Sequence, residues 1–164
     1  AGTGTILAYN YGARRRDRIL KAQGFIAVLC VAYVTALFLL SRLGGGLFVA
    51  LFTTEPALAA EALDAIHVCT LAIIPLGIQY AIVDGFTGMG KVQVSLPLSA
   101  FRKVVYFIAL FALPAAFGAR ATFYAEPISD ILGPIVSVAV YALVIRRLLN
   151  FPPAPPAGEE PLPS

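Results

Sequence analysis

The sequence has no tryptophan, one methionine (Met89), one histidine (His67) and two cysteines, Cys30 and Cys69. A lone histidine with no second ligand at zinc spacing excludes the common zinc sets, so no metal site is expected and His67 reads as a helix-start residue at an interface. The cysteines fall in separate apolar segments and read as small buried hydrophobes rather than a disulfide or metal pair. Charge is sparse too. Charged residues make up 13% of the 164, against roughly a quarter in soluble domains, while 59% are hydrophobic and the mean hydropathy is +0.84. A globular body of this size has too few polar side chains to cover so much apolar surface, whereas a bilayer solvates it directly. A net charge of +3 would admit nucleic acid, but the cations lie between apolar runs and are not interleaved with aromatics, so no nucleic-acid partner is expected.

No catalytic constellation is present, and the chain is expected to be neither an enzyme nor a holder of a cofactor. The segment Gly85-Phe-Thr-Gly-Met-Gly-Lys91 has a phosphate-loop flavour but lacks the hydroxyl residue after the lysine and follows an apolar helix rather than a strand. The chain opens on Ala1, with its one methionine deep inside, and a piece of a longer gene is expected.

What is present is long apolar runs. A spanning helix needs about 20 mostly apolar residues to cross about 30 Å of hydrocarbon, and four stretches qualify, giving an all-α membrane protein of about four transmembrane helices within residues 24–149. The first covers about 24–47, and Gly44, Gly45 and Gly46 are expected to break or bend it before Leu47–Phe52. The second, about 62–88, is announced by Thr53, Thr54, Glu55 and Pro56, a hydroxyl cap followed by an early proline, and Pro75 should kink it near its middle. The third covers about 94–117 and the fourth about 121–149. Residues 1–23 read as the end of a helix and a basic loop, and residues 150–164 as a disordered proline-rich tail.

Counting cations orients these spans. Arg14, Arg15, Arg16, Arg18, Lys21, Lys91, Arg102, Lys103, Arg146 and Arg147 fall on one side of a four-span threading, and only Arg42 and Arg120 on the other. The positive-inside rule then places both ends of the chain in the cytoplasm, with the chain a multi-pass protein of the cell's inner (plasma) membrane.

Carboxylates at membrane depth are costly and mark pathways for ions or substrates. Asp84 stands one turn after Tyr80 on the same helix face, with Gln79 beside them. Together they suggest a cation or proton site in which the carboxylate takes Na+ or H+ and phenol and amide supply neutral oxygens. The alternative is a hydrated Asp84 paired with Lys91 or Arg102. Asp130 and Glu126 share a face one turn apart, an arrangement suited to proton uptake or, equally, to an outer-interface pair neutralised by Arg120. Arg102 is expected to anchor to headgroups or to a neighbouring carboxylate.

Five short motifs then occur in order. Leu7-Ala-Tyr-Asn-Tyr-Gly-Ala-Arg-Arg-Arg-Asp-Arg18, holding Asn10, Tyr11, Gly12, Ala13 and Arg14, resembles the loop between helices eight and nine of the multidrug and toxic compound extrusion (MATE) family. Leu51-Phe-Thr-Thr-Glu-Pro56 is similar to that family's outer turn, and Gly88-Met-Gly-Lys91, with Gly90 and Lys91, to its end of helix ten. Ser99-Ala-Phe-Arg102 resembles the start of helix eleven and Glu126-Pro-Ile-Ser-Asp130 the entry to helix twelve. The resemblance implies part of the C-terminal lobe of a twelve-helix, two-lobe exporter, running from the end of helix eight through helix twelve. It also implies export of amphipathic organic cations against Na+ or H+, membrane lipid and the missing N-terminal lobe as partners, and a C-lobe cation site at Tyr80 and Asp84. A flippase for lipid-linked oligosaccharides from the same superfamily, or a transport-inactive truncated protein, are the alternatives.

Overall fold

The computed structural model describes residues 2–150, so the reading of the proline-rich tail lies outside the described residues except for Asn150. The described residues are helical throughout: α1 Gly2–Gly12, α2 Arg16–Ala50, α3 Pro56–Cys69, α4 Ile73–Gly88, α5 Val92–Phe117, a 3₁₀ segment Ala119–Tyr124, and α6 Ala125–Leu148. Three runs are long and apolar enough to cross a bilayer: α2, α5, and residues 119–148 together. The pair α3 and α4 also qualifies as one broken span, bent by 46° at its break, which makes four.

The first span continues without interruption through Gly44–Gly46, contrary to the expected break. None of these glycines takes a positive φ; their use is proximity. A Cβ on Gly45 would stand 3.0 Å from the Leu63 side chain, so the missing side chain lets α3 pack against α2 there. A helix of this length is about 52 Å long at 1.5 Å per residue and must project from the hydrocarbon at one end or both.

The second span breaks earlier than expected. Helix α3 ends at Cys69 and α4 begins at Ile73, so Pro75 lies in the first turn of α4 rather than at a mid-helix kink. Proline cannot donate to the carbonyl four residues back, and its ring collides with that carbonyl, here Leu71, so the chain gives way at Thr70–Ala72. The carbonyl of His67, freed at the end of α3, accepts a 2.8 Å hydrogen bond from an Arg42 Nη of α2. At the start of α3, Pro56 takes the first helical position, but the cap residue is Glu55 without a side-chain capping bond; the Thr53 hydroxyl instead accepts from the Glu55 N–H at 3.2 Å. The fourth span opens as a 3₁₀ segment, and its α-helix starts only at Ala125.

Helix α4 is the hub and packs against α1, α2, α5 and α6. A Cβ on Gly77 would come within 2.7 Å of Val34 of α2, and one on Gly88 within 2.9 Å of the Gly4 backbone of α1. Gln23 of α2 donates a buried hydrogen bond to the Ala81 carbonyl over the space left by Gly85. The apolar core gathers at the Gly90 end of the bundle, where Leu7, Ile19, Ile82, Phe86, Leu98 and Ile145 meet. Helix α4 closes there with Gly90 at φ +73, the Gly90 N–H bonding Thr87 O and the Lys91 N–H bonding Phe86 O. That pattern satisfies two end carbonyls and needs a residue free of a Cβ. Outward faces of α2 and α5 carry exposed Leu40, Phe107, Ile108 and Phe111.

Candidate ion-coupling site

Depth in the bundle follows from helix rise. Counting from Lys91, Arg102 stands about 16 Å up α5. Counting from Arg146 at the same end, Asp130 stands about 24 Å up α6, and a long arginine side chain closes the gap. The two meet: an Arg102 Nη donates to Asp130 Oδ1 at 2.9 Å, with the arginine side chain largely and the carboxylate almost wholly enclosed. The Ser129 hydroxyl approaches the same oxygen at 3.3 Å while donating to the Glu126 carbonyl. Both ions thus lie well inside a layer about 30 Å thick, where a lone charge costs several kcal/mol and pairing is the condition for burial.

Gln79 of α4 completes this node. It is only 3% exposed, and its Nε2 donates to the Leu98 carbonyl at 3.3 Å. Its Oε1 is buried without a partner. A Cβ on Gly133 would fall 2.6 Å from that oxygen and 3.1 Å from Arg102 Cγ, so the glycine admits both side chains. One face of α4, one of α5 and one of α6 therefore converge on Gln79, Arg102 and Asp130.

Tyr80 and Asp84 lie on a different face of α4. Tyr80 is 48% exposed, Asp84 is exposed, and no hydrogen bond joins them among the described residues. The Arg102 guanidinium carbon lies 6.0 Å from the Tyr80 ring centre, at the edge of cation–π range. Between α4 and α5 is a cleft of about 180 Å³ lined by Gln79, Tyr80, Val83, Ser99, Arg102 and Lys103. Asp84 borders a separate cleft of about 210 Å³ with Thr3, Gly4, Thr87 and Gly88. Gln79 thus meets Arg102 and Gly133 while sharing a cleft with Tyr80, and Asp84 stands apart.

Glu126 is exposed whereas Asp130 is buried, so the two carboxylates do not share one environment. Arg120 approaches Glu61 at 3.7 Å, not Asp130. The motif residues sit at the Gly90 end. Asn10 is buried, with Nδ2 donating to the Ile6 carbonyl at 2.8 Å, and the Lys91 ammonium lies 5.3 Å from the Tyr11 ring. Gly12 ends α1, Ala13 turns the chain, and Arg14 takes φ +53. Two contributors escaped the sequence analysis as site residues. Lys103, exposed on α5 with its ammonium 5.9 Å from the Tyr106 ring, was signalled by its position deep in an apolar run. Gly133 had no signal beyond preceding Pro134.

Comparison with known proteins gives the following. The MatE family model matches residues 1–113. No curated protein matches the chain by sequence. In fold, the chain is similar to a multidrug resistance MATE family transporter of the MOP superfamily in its inward-facing conformation. The TM-score is 0.81 at 18% identity, over 89% of this chain and 34% of that one. It is also similar to the Vibrio cholerae MATE transporter VcmN in the bent form, with TM-score 0.73 at 18% identity, over 85% of this chain and 32% of that one. The chain spans about a third of the length of these transporters.

Proposed function

Because the chain belongs to the MatE family, whose members are transporters rather than enzymes, we propose that it forms the last four spans of a two-lobe secondary exporter. The exporter would move amphipathic organic cations and other xenobiotics out of the cell in exchange for entering Na+ or H+. It would sit in the inner membrane with residues 1–23 and the end of α6 on the cytoplasmic side.

The observation that carries this proposal is the lateral face of α4 and α5. Tyr80, Asp84 and Lys103 are all exposed there, about 10–18 Å above Lys91 by helix rise. Hydrocarbon does not solvate an ammonium and a carboxylate at such depth. A water-filled cavity closed on its other side by an N-terminal lobe does. In this cavity Asp84 takes the coupling cation or proton, and the Tyr80 phenol one turn away supplies a neutral oxygen. Asp130 is the second candidate, with Gln79 Oε1 beside Gly133 one turn further along α6, and ion uptake there requires the Arg102 guanidinium to let go.

Vesicles holding the two-lobe protein that contains this sequence provide the test. Asp84→Asn is expected to abolish efflux driven by an ion gradient while leaving membrane insertion intact. Drug–cation exchange that continues unchanged in this variant removes Asp84 from the mechanism.

A further inference from the structure

The most strongly charged surface of the molecule plays no part in that proposal. From the turn after α1 into the first turns of α2 the chain carries Arg14, Arg15, Arg16, Arg18 and Lys21 against the one acid Asp17. All are exposed, and these residues alone line a cleft of about 510 Å³. Among the described residues no ion pair neutralises any of them. The arrangement is electrostatically unfavourable on its own terms. Arg15 caps α2 without a side-chain hydrogen bond, so the cations crowd the positive end of a helix dipole, where an anion is favoured instead.

The rotation of α2 is fixed by its inner face. Ile19, Gln23 and Ile26 are buried, and Gln23 is tied to the Ala81 carbonyl of α4. The opposite face is therefore presented outward, and helical spacing puts Arg18, Lys21, Phe25, Val28 and Leu29 along it in one stripe. Phe25 is 65% and Val28 66% exposed. From Lys21 to Phe25 the rise is about 6 Å, comparable with the 5–8 Å thickness of a headgroup layer on one side of a bilayer. The stripe thus has cations at headgroup level and bare apolar side chains directly below.

We propose that this stripe is a binding site for one anionic phospholipid of the leaflet facing the α1–α2 loop. The phosphate is held by Arg18 and Lys21, with Arg14 within reach, and an acyl chain lies on Phe25, Val28 and Leu29. Guanidinium groups match phosphate oxygens in a two-pronged geometry that a zwitterionic headgroup offsets with its own cation. The site depends on both halves of the stripe, so free phosphate does not substitute for the lipid.

Native mass spectrometry tests this on the full protein, extracted from membranes containing phosphatidylglycerol and phosphatidylcholine in equal amounts. The unaltered protein is expected to retain phosphatidylglycerol in preference. With each surface cation worth about 1 kcal/mol toward an anionic membrane, Arg18→Gln with Lys21→Gln should cut that preference about thirtyfold. The exchange Arg18→Lys with Lys21→Arg should preserve most of it, and Arg146→Gln with Arg147→Gln, at the end of α6, should leave it unchanged. Glycerol phosphate should not displace the bound lipid. Equal retention of the two lipids by the unaltered protein overturns the proposal. So does an equal loss from the α6 pair, which would reduce the effect to general surface charge, and so does displacement by glycerol phosphate.

Discussion

Removing either member of the Arg102–Asp130 pair leaves the other as an uncompensated ion at membrane depth, held by a contact of 2.9 Å that no other residue replaces among those described. Breaking a buried pair on one side costs about 3–5 kcal/mol, whereas replacing both ions by apolar residues of similar volume is often close to neutral. Arg102→Met and Asp130→Leu are therefore each expected to lower stability in mixed micelles by that amount, and the double variant by clearly less than their sum. Unfolding titrations of the four proteins in a denaturing detergent measure the coupling directly. Gly85 makes a second prediction at this scale. A Cβ there collides with the Gln23 carboxamide, so Gly85→Leu must displace the buried bond from Gln23 to Ala81 and is expected to cost about 1–3 kcal/mol by overpacking. Thermal unfolding in the same micelles, compared with exposed Gly46→Leu as control, reads this out.

Among the elements, the break between α3 and α4 is the most consequential. Pro75 removes the donor that would bond the Leu71 carbonyl, and Arg42 covers the carbonyl of His67 from outside the helix. Pro75→Ala restores the donor and is expected to reduce the 46° bend. Spin labels at Leu58 and Thr87, on either side of the break, should then move apart in pulsed dipolar measurements, and an unchanged distance would assign the bend to packing by α2 alone. The Arg102–Asp130 pairing was within reach of the sequence at this scale. Counted from the turn at Gly118, Arg102 lies about 24 Å back along α5 and Asp130 about 18–21 Å forward, depending on how much of the chain is 3₁₀. The mismatch is less than an arginine side chain. Treating Asp130 within its own helix, as a partner of Glu126, hid the antiparallel neighbour that claims it.

At the scale of the whole molecule, the positive-inside count makes a prediction that concerns all four spans together. Single cysteines placed at Arg15 and at Lys91 should react with an impermeant reagent from one side of the membrane, and those at Glu55 and at Arg120 from the other, in a background lacking Cys30 and Cys69. Reaction of Arg15 and Glu55 positions from the same compartment would break the alternation of spans. This chain reconstituted alone is expected to show no dye efflux, since the face bearing Tyr80, Asp84 and Lys103 has no opposing wall in the described residues; dye efflux by the chain alone would show that no second lobe is needed.

The apolar solvent, a count of three to four spans and the family likeness were legible in the sequence. Those follow from run length, from charge placed between runs, and from short motifs whose residues are adjacent in the chain. The sequence also carried the end of α4, because Gly90 and its neighbours satisfy their carbonyls locally. Which polar side chains meet was set by the packing of the helices. Gln79 and Tyr80 are consecutive in sequence and border one cleft with Arg102, yet the first is enclosed and the second half exposed. Helical periodicity relates residues on one helix, whereas the face that each helix buries is set by neighbours such as Gly77 on Val34 and Gly133 on Gln79. Those contacts join segments far apart in the chain, and their geometry exists only once the helices are packed.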